Sequence, residues 1–204
     1  GAVKEKVNYV DGKQTEIIKY FRSGAVYQKY NQVDGKLQGL HMTYYESGAI
    51  RVKGNYVDGK AEEIIKYFRS GAVSSKEKYV RGKLAFKTNY VDGLGKGEHI
   101  VYYLSGAVKE KVNYVDGIQG EFISYFESGA IRSKANYVGS INSFYGNIVG
   151  EYISYYESGA IQSKANYVDG KPEGEEIYYY ESGEVREKVN RAGGQYQGER
   201  IEYY

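Results

Sequence analysis

The sequence predicts an all-β fold: an elongated antiparallel β-meander of about eight tandem hairpin repeats of roughly 23 residues, laid out as one open, twisted sheet. Three observations predict it: letter-for-letter internal repetition, apolar alternation with a period of two, and turn residues at both ends of every strand pair. Residues Gly1 to Gly12 recur unchanged at Gly106 to Gly117, and Glu16 to Val26 recur at Glu63 to Val73. A turn glycine stands at Gly1, Gly24, Gly48, Gly71, Gly106, Gly129, Gly159 and Gly183, with successive spacings of 23, 24, 23, 35, 23, 30 and 24.

Each repeat reads as two strands. The first is a six-residue run such as Glu121 to Phe126, with isoleucine or methionine third and tyrosine fifth, as in Ile18 and Tyr20, Met42 and Tyr44, or Ile153 and Tyr155. An apolar residue two positions before a tyrosine marks one strand face. The second strand is an eight-residue run such as Ala130 to Tyr137, apolar at its second position and usually tyrosine at its eighth. Lysine holds the fifth, at Lys6, Lys29, Lys53, Lys76, Lys87, Lys111, Lys134, Lys164 and Lys188. Strict alternation puts the even positions with the Ile/Tyr pair on an apolar face, and the lysines on a polar one. It also sets the second position of the first strand opposite the lysine, Tyr152 facing Lys164 and Phe122 facing Lys134. A helix would scatter these columns, because positions two and eight stand about 120° from eclipsed at 3.6 residues per turn.

Two short links complete the unit. The first strand runs into x-Ser-Gly, as in Glu157-Ser158-Gly159, where glycine supplies the positive φ of a three-residue hairpin loop. The second runs into Val-Asp-Gly, as in Val168-Asp169-Gly170, whose Asp-Gly favours a left-handed turn. Links this short join antiparallel neighbours and exclude crossover helices. Eight first and nine second strands make 17, about 80 Å of sheet at ~4.8 Å per strand if it stays open.

The reading treats residues 1–204 as a single array, a fragment of a longer one, with two breaks. Near 72–97 the unit gains twelve residues, and Lys83 to Tyr90 repeats the second-strand pattern without a first strand between. That is either a scar of duplication or a deliberate bend. Near 139–150 a longer loop carries Phe144 and Tyr145, which either contact a partner or fold back over the sheet.

Composition restricts function. Tyrosine supplies 26 of the 204 residues and glycine 27, with no tryptophan or cysteine, one proline and a formal charge of +2. Near-neutrality argues against nucleic acid. Without cysteine there is neither disulfide nor thiolate metal site, and no apolar run reaches the ~20 residues of a membrane span.

The run Gly150-Glu151-Tyr152-Ile153-Ser154-Tyr155-Tyr156-Glu157-Ser158-Gly159, completed by Tyr167-Val168-Asp169-Gly170-Lys171-Pro172-Glu173-Gly174-Glu175, resembles the MORN repeat in its bacterial variant form. The likeness covers essentially the whole chain. It departs from the family in serine before the turn glycine, in isoleucine where tryptophan is common, and at Thr15 and Glu62, where a glycine is lost. The resemblance implies a hairpin-repeat scaffold or contact surface. Relatives include YwqK-type antitoxins and surface proteins of host-associated bacteria, and the wider family is linked to protein scaffolding and phospholipid contact.

No constellation of catalytic groups is apparent. His41 and His99 occupy second positions of first strands, on the expected polar face and about 24 Å apart at ~4.8 Å per strand, so neither catalysis, a metal site nor a cofactor is expected. The candidate interaction surface is the lysine column with its aromatic neighbours: Lys111, Lys134, Lys164, Lys188, Phe122 and Tyr152, with Phe144 and Tyr145 in the loop. The lysines either shield the sheet, their stems lying over rings, or bind an acidic partner. The expected function is a non-enzymatic scaffold for protein contact, with a secreted or cell-surface place favoured over a cytoplasmic one. The alternatives are an antitoxin that sequesters a toxin and a scaffold on anionic lipid.

Overall fold

The two alternating patterns fold as strands, and among the described residues no helix interrupts them. The computed structural model describes residues 1–115, 118–138 and 147–204, without the side chains of Ile118, Gln119 and Asn147. Phe144, Tyr145 and the rest of 139–146 within the 139–150 insertion lie outside the described residues. The chain divides into two compact units, Gly1–Leu94 and Gly95–Tyr204.

The first unit holds β1 (Glu5–Val10), β2 (Lys13–Tyr20), β3 (Val26–Val33), β4 (Lys36–Tyr44), β5 (Ile50–Val57), β6 (Lys60–Tyr67), β7 (Val73–Val80) and β8 (Lys83–Val91). The second holds β9 (Leu94–Tyr102, whose first residue closes the first unit), β10 (Val108–Val115), β11 (Ile118–Tyr125), β12 (Ile131–Val138) and β13 (Asn147–Tyr155). It continues through β14 (Ile161–Val168), β15 (Lys171–Pro172), β16 (Gly174–Tyr179), β17 (Val185–Ala192) and β18 (Gln195–Glu202). Within each unit, strands adjacent in sequence pair antiparallel. β15 and β16 are two pieces of one strand, both laid against β14.

Both links have the expected turn chemistry. In the Asp-Gly link both central residues are left-handed, Asp169 at φ 49° and Gly170 at φ 77°, and Val168 pairs with Lys171 across them. Such a mirror-image turn matches the right-handed twist of its strands. In the Ser-Gly link, Tyr156 N–H donates to the Ala160 carbonyl at 2.8 Å and Gly159 N–H donates to the Tyr156 carbonyl at 2.9 Å. Gly159 stands at φ 91°, where a side chain would be strained.

The register differs from strict alternation by one residue in every hairpin. In β11 and β12, Ser124 pairs with Ser133 but Tyr125 pairs with Ile131, which leaves Arg132 unopposed. The same shift leaves Tyr27, Arg51, Ser74, Lys109, Gln162 and Arg186 unopposed in the other hairpins. A β-bulge of this kind transfers every later residue of its strand to the other face. Lys134 therefore stands opposite Ile123, not Phe122, and Lys164 opposite Ile153, not Tyr152. Phe122 and Tyr152 face Ala135 and Ala165 instead. On the turn side of the bulge Tyr155 pairs with Ile161, where strict alternation also puts them opposite.

The bulge thus sorts the side chains into a lysine face, with the Ile/Tyr pair and the lysine column, and an opposite face. Burial concentrates on the opposite face: Ile17, Ser133, Ala135, Ser163, Ala165, Glu176, Glu187 and Val189 are all buried there. The Ile/Tyr face, expected to be the covered one, stays half-open. At Gly54 the opposite face is crowded, because a Cβ there would lie 2.6 Å from Cε2 of the Tyr56 ring and force that ring to shift. Lys87 also leaves its column. β8 pairs with β7 where a first strand would lie, and Lys87 stands opposite Glu77 on the opposite face.

Candidate functional site

Two surfaces carry chemistry, one on each face. On the lysine face the column is partly neutralised by glutamates of the preceding strand: Lys29 to Glu16 at 2.7 Å, Lys111 to Glu98 at 3.4 Å and Lys188 to Glu175 at 3.6 Å. The hydrogen bond and charge of Glu16 hold the Lys29 ammonium above its ordinary value. Lys6 and Lys76 lie over the rings of Tyr20 and Tyr90, at 5.7 and 5.6 Å from their centroids. Lys134 and Lys164 have no ion pair among the described residues. Four residues on in the same strands, Val138 and Val168 are about half exposed. Two lysines and two valines therefore recur on one face at the spacing of a repeat.

The opposite face is aromatic and polar. Phe122 packs against Tyr137 with ring centroids 5.0 Å apart, and Tyr152 against Tyr167 at 5.8 Å. The histidines belong to this stack and are half-buried on the face opposite the lysines, which corrects their expected placement on the lysine face. His41 lies between Tyr30 and Tyr56 at 5.6 and 5.7 Å, and His99 meets Tyr114 edge-on at 6.2 Å. Burial holds both imidazoles below their ordinary value, opposed at His99 by the charge of Glu110. Buried carboxylates on this face are satisfied in place. Glu77 accepts from Lys66 at 2.8 Å and from the Tyr79 hydroxyl at 2.9 Å. Burial opposes its ionisation, but those partners prevail and keep the carboxyl below its ordinary value. Burial and the bond to Glu77 push Tyr79 up to about 12.

Successive repeats are tied by a tyrosine clamp that sequence reading missed. The hydroxyl of the last first-strand residue donates to the main-chain carbonyl of the next repeat's fixed tyrosine. Tyr45 donates to Tyr67 at 2.8 Å, Tyr103 to Tyr125 at 2.8 Å, Tyr156 to Tyr179 at 2.7 Å and Tyr180 to Tyr203 at 2.9 Å. The signal was present in the alternation of tyrosine and phenylalanine at that position. Phe126 has no hydroxyl to give to Tyr155.

Beside Phe126 lies a hollow of about 410 Å³. Its lining includes the pair Ser154 and Ser163, with hydroxyls 2.6 Å apart, and Phe126, Tyr152 and Tyr156. Arg132, Glu157 and Gln162 complete the lining, Arg132 lying 6.0 Å over the Phe126 ring. The paired positions are equally short in the β11–β12 hairpin, Ser124 with Ser133, and bulkier in others, as Lys19 with Gln28, Val101 with Glu110 and Tyr178 with Glu187.

The hairpins match the MORN repeat variant at residues 37–58, 96–116, 118–138, 148–169 and 172–191, together just over half of the sequence. The chain belongs to this family of repeat scaffolds, which is generally non-catalytic. No curated protein matches it. Among solved structures it is similar, at 10% identity and a TM-score of 0.22, to a chain of the crystal structure of TcdB2-TccC3-Cdc42, with 98% of this chain and 14% of that one covered. The crystal structure of TcdB2-TccC3 is matched at 11% identity and the same TM-score, over the same shares of the two chains. The chain thus spans 14% of the length of these solved chains.

Proposed function

We propose that the chain is a non-enzymatic scaffold whose lysine face engages an acidic protein surface. The observation that carries this reading is the recurrence of Lys134 and Lys164, without ion pairs among the described residues, on the same face as exposed Val138 and Val168. Exposed apolar side chains give contact area that excludes water, and unpaired cations choose a partner of opposite sign. Lys111 and Lys188 flank the strip and are already matched by glutamates, so they set its ends. Phe122 and Tyr152, on the other face, have no part in it.

The test is affinity capture with the intact chain, followed by mass spectrometry, beside the variant Lys134→Glu/Lys164→Glu. A partner captured by the parent and lost on charge reversal supports the reading. A partner retained at full strength on the reversed surface places the contact elsewhere. Vesicles containing phosphatidylserine are the parallel arm, and charge-dependent sedimentation with them alone would favour an anionic membrane over a protein.

A further inference from the structure

We infer that the hollow between the β11–β12 and β13–β14 hairpins is a saccharide site that takes a neutral pyranose and its linked neighbour. It lies on the face away from the lysine strip, so it stands independently of the protein-contact reading. At about 410 Å³ it falls in the lower part of the range of roughly 300–1,000 Å³ in which proteins hold small molecules. It opens where the short side chains of Ser154 and Ser163 meet, as Ser124 and Ser133 do in the β11–β12 hairpin, and where Phe126 stands in place of a clamping tyrosine.

The lining matches the two kinds of surface on a sugar ring. Phe126, Tyr152 and Tyr156 offer aromatic faces, whose negative π density suits the polarised C–H groups of a pyranose. The hydroxyls of Ser154 and Ser163 bond to each other at 2.6 Å, which leaves the pair one further donor and spare acceptor lone pairs. Arg132 and Glu157, also in the lining, have no ion-pair partner among the described residues. A guanidinium fork and a carboxylate between them serve adjacent hydroxyls as donor and acceptor. Their charges cancel, which favours a neutral sugar over an acidic one. Tyr155 also lines the hollow, and Phe126 cannot close it with the clamp made by Tyr103 and Tyr156.

That last difference supplies the test. Phe126→Tyr places a hydroxyl where the clamp forms in sister repeats, and so obstructs the hollow with a residue the fold already accepts there. Calorimetric titration of the intact chain with maltose, cellobiose, lactose and chitobiose, and with glucuronic acid as the acidic control, should find a neutral disaccharide that binds. Phe126→Tyr and, separately, Arg132→Gln should each weaken it at least about tenfold, with thermal midpoints no lower than the parent's. If Phe126→Tyr fails to fold, Arg132→Gln decides alone. Absence of binding by every neutral sugar overturns the proposal, as does binding that both variants leave unchanged. Preference for glucuronic acid overturns the assignment of a neutral ligand.

Discussion

Tyr156→Phe isolates the joint between repeats. The substitution keeps the ring and deletes one hydroxyl, which donates at 2.7 Å to the Tyr179 carbonyl in a partly buried setting. A neutral hydrogen bond contributes about 0.5–1.5 kcal/mol net, and more when its loss strands a buried acceptor, so the expected cost is ~1–1.5 kcal/mol. Tyr180→Phe is the internal control: the same bond to Tyr203 at 2.9 Å is exposed, water replaces the hydroxyl, and the cost should stay below ~0.5 kcal/mol. Urea unfolding followed by far-UV circular dichroism measures both. Because each hairpin touches mainly its neighbours, the curve is compared by midpoint and breadth without assuming a two-state transition. Equal effects at the two positions, or none at Tyr156, would refute the clamp as a source of stability.

Gly54→Ala should cost ~1–3 kcal/mol by overpacking, since its Cβ would lie 2.6 Å from the Tyr56 ring; adding Tyr56→Ala should remove most of that increment in a double-mutant cycle. The face assignment is tested by Ala165→Leu, which should cost ~1–3 kcal/mol at a buried site, against Lys164→Ala, which should change stability by less than ~0.5 kcal/mol. Thermal unfolding in which the two are equal would reverse the faces. Stability should also fall with pH. Burial depresses His41 and His99, so their neutral forms favour the fold above the unfolded value of about 6.5, and that contribution is lost as pH drops below it. The double variant His41→Phe/His99→Phe should flatten the melting midpoint between about pH 7 and pH 5, above the range in which ordinary carboxylates titrate.

The strands and turns were legible because their signals are local. Asp169-Gly170 specifies a mirror-image turn in two residues, and the recurrence of Ile and Tyr two apart fixes a strand wherever it occurs. The faces were misread for an equally physical reason. A bulge at Arg132 or Gln162 leaves no compositional mark, since arginine, glutamine, tyrosine, serine and lysine all occupy that place. One unopposed residue then inverts the inside and outside of all that follows in its strand. Apart from Lys87, the lysines keep to one face as expected, but they were assigned to the wrong neighbours. The histidines were placed on the lysine face by the same inversion, and the meeting of Ser154 with Ser163 depends on a register that alternation alone does not give.

The tyrosine clamp ends on a main-chain oxygen, and every residue type supplies one. A repeat therefore docks onto the next without reading its side chains at that joint. Unequal recombination that inserts or removes a whole hairpin brings an equivalent acceptor into place, whichever copy arrives. Arrays built this way can change length by gene slippage while keeping their seams, and selection on either broad surface can proceed copy by copy.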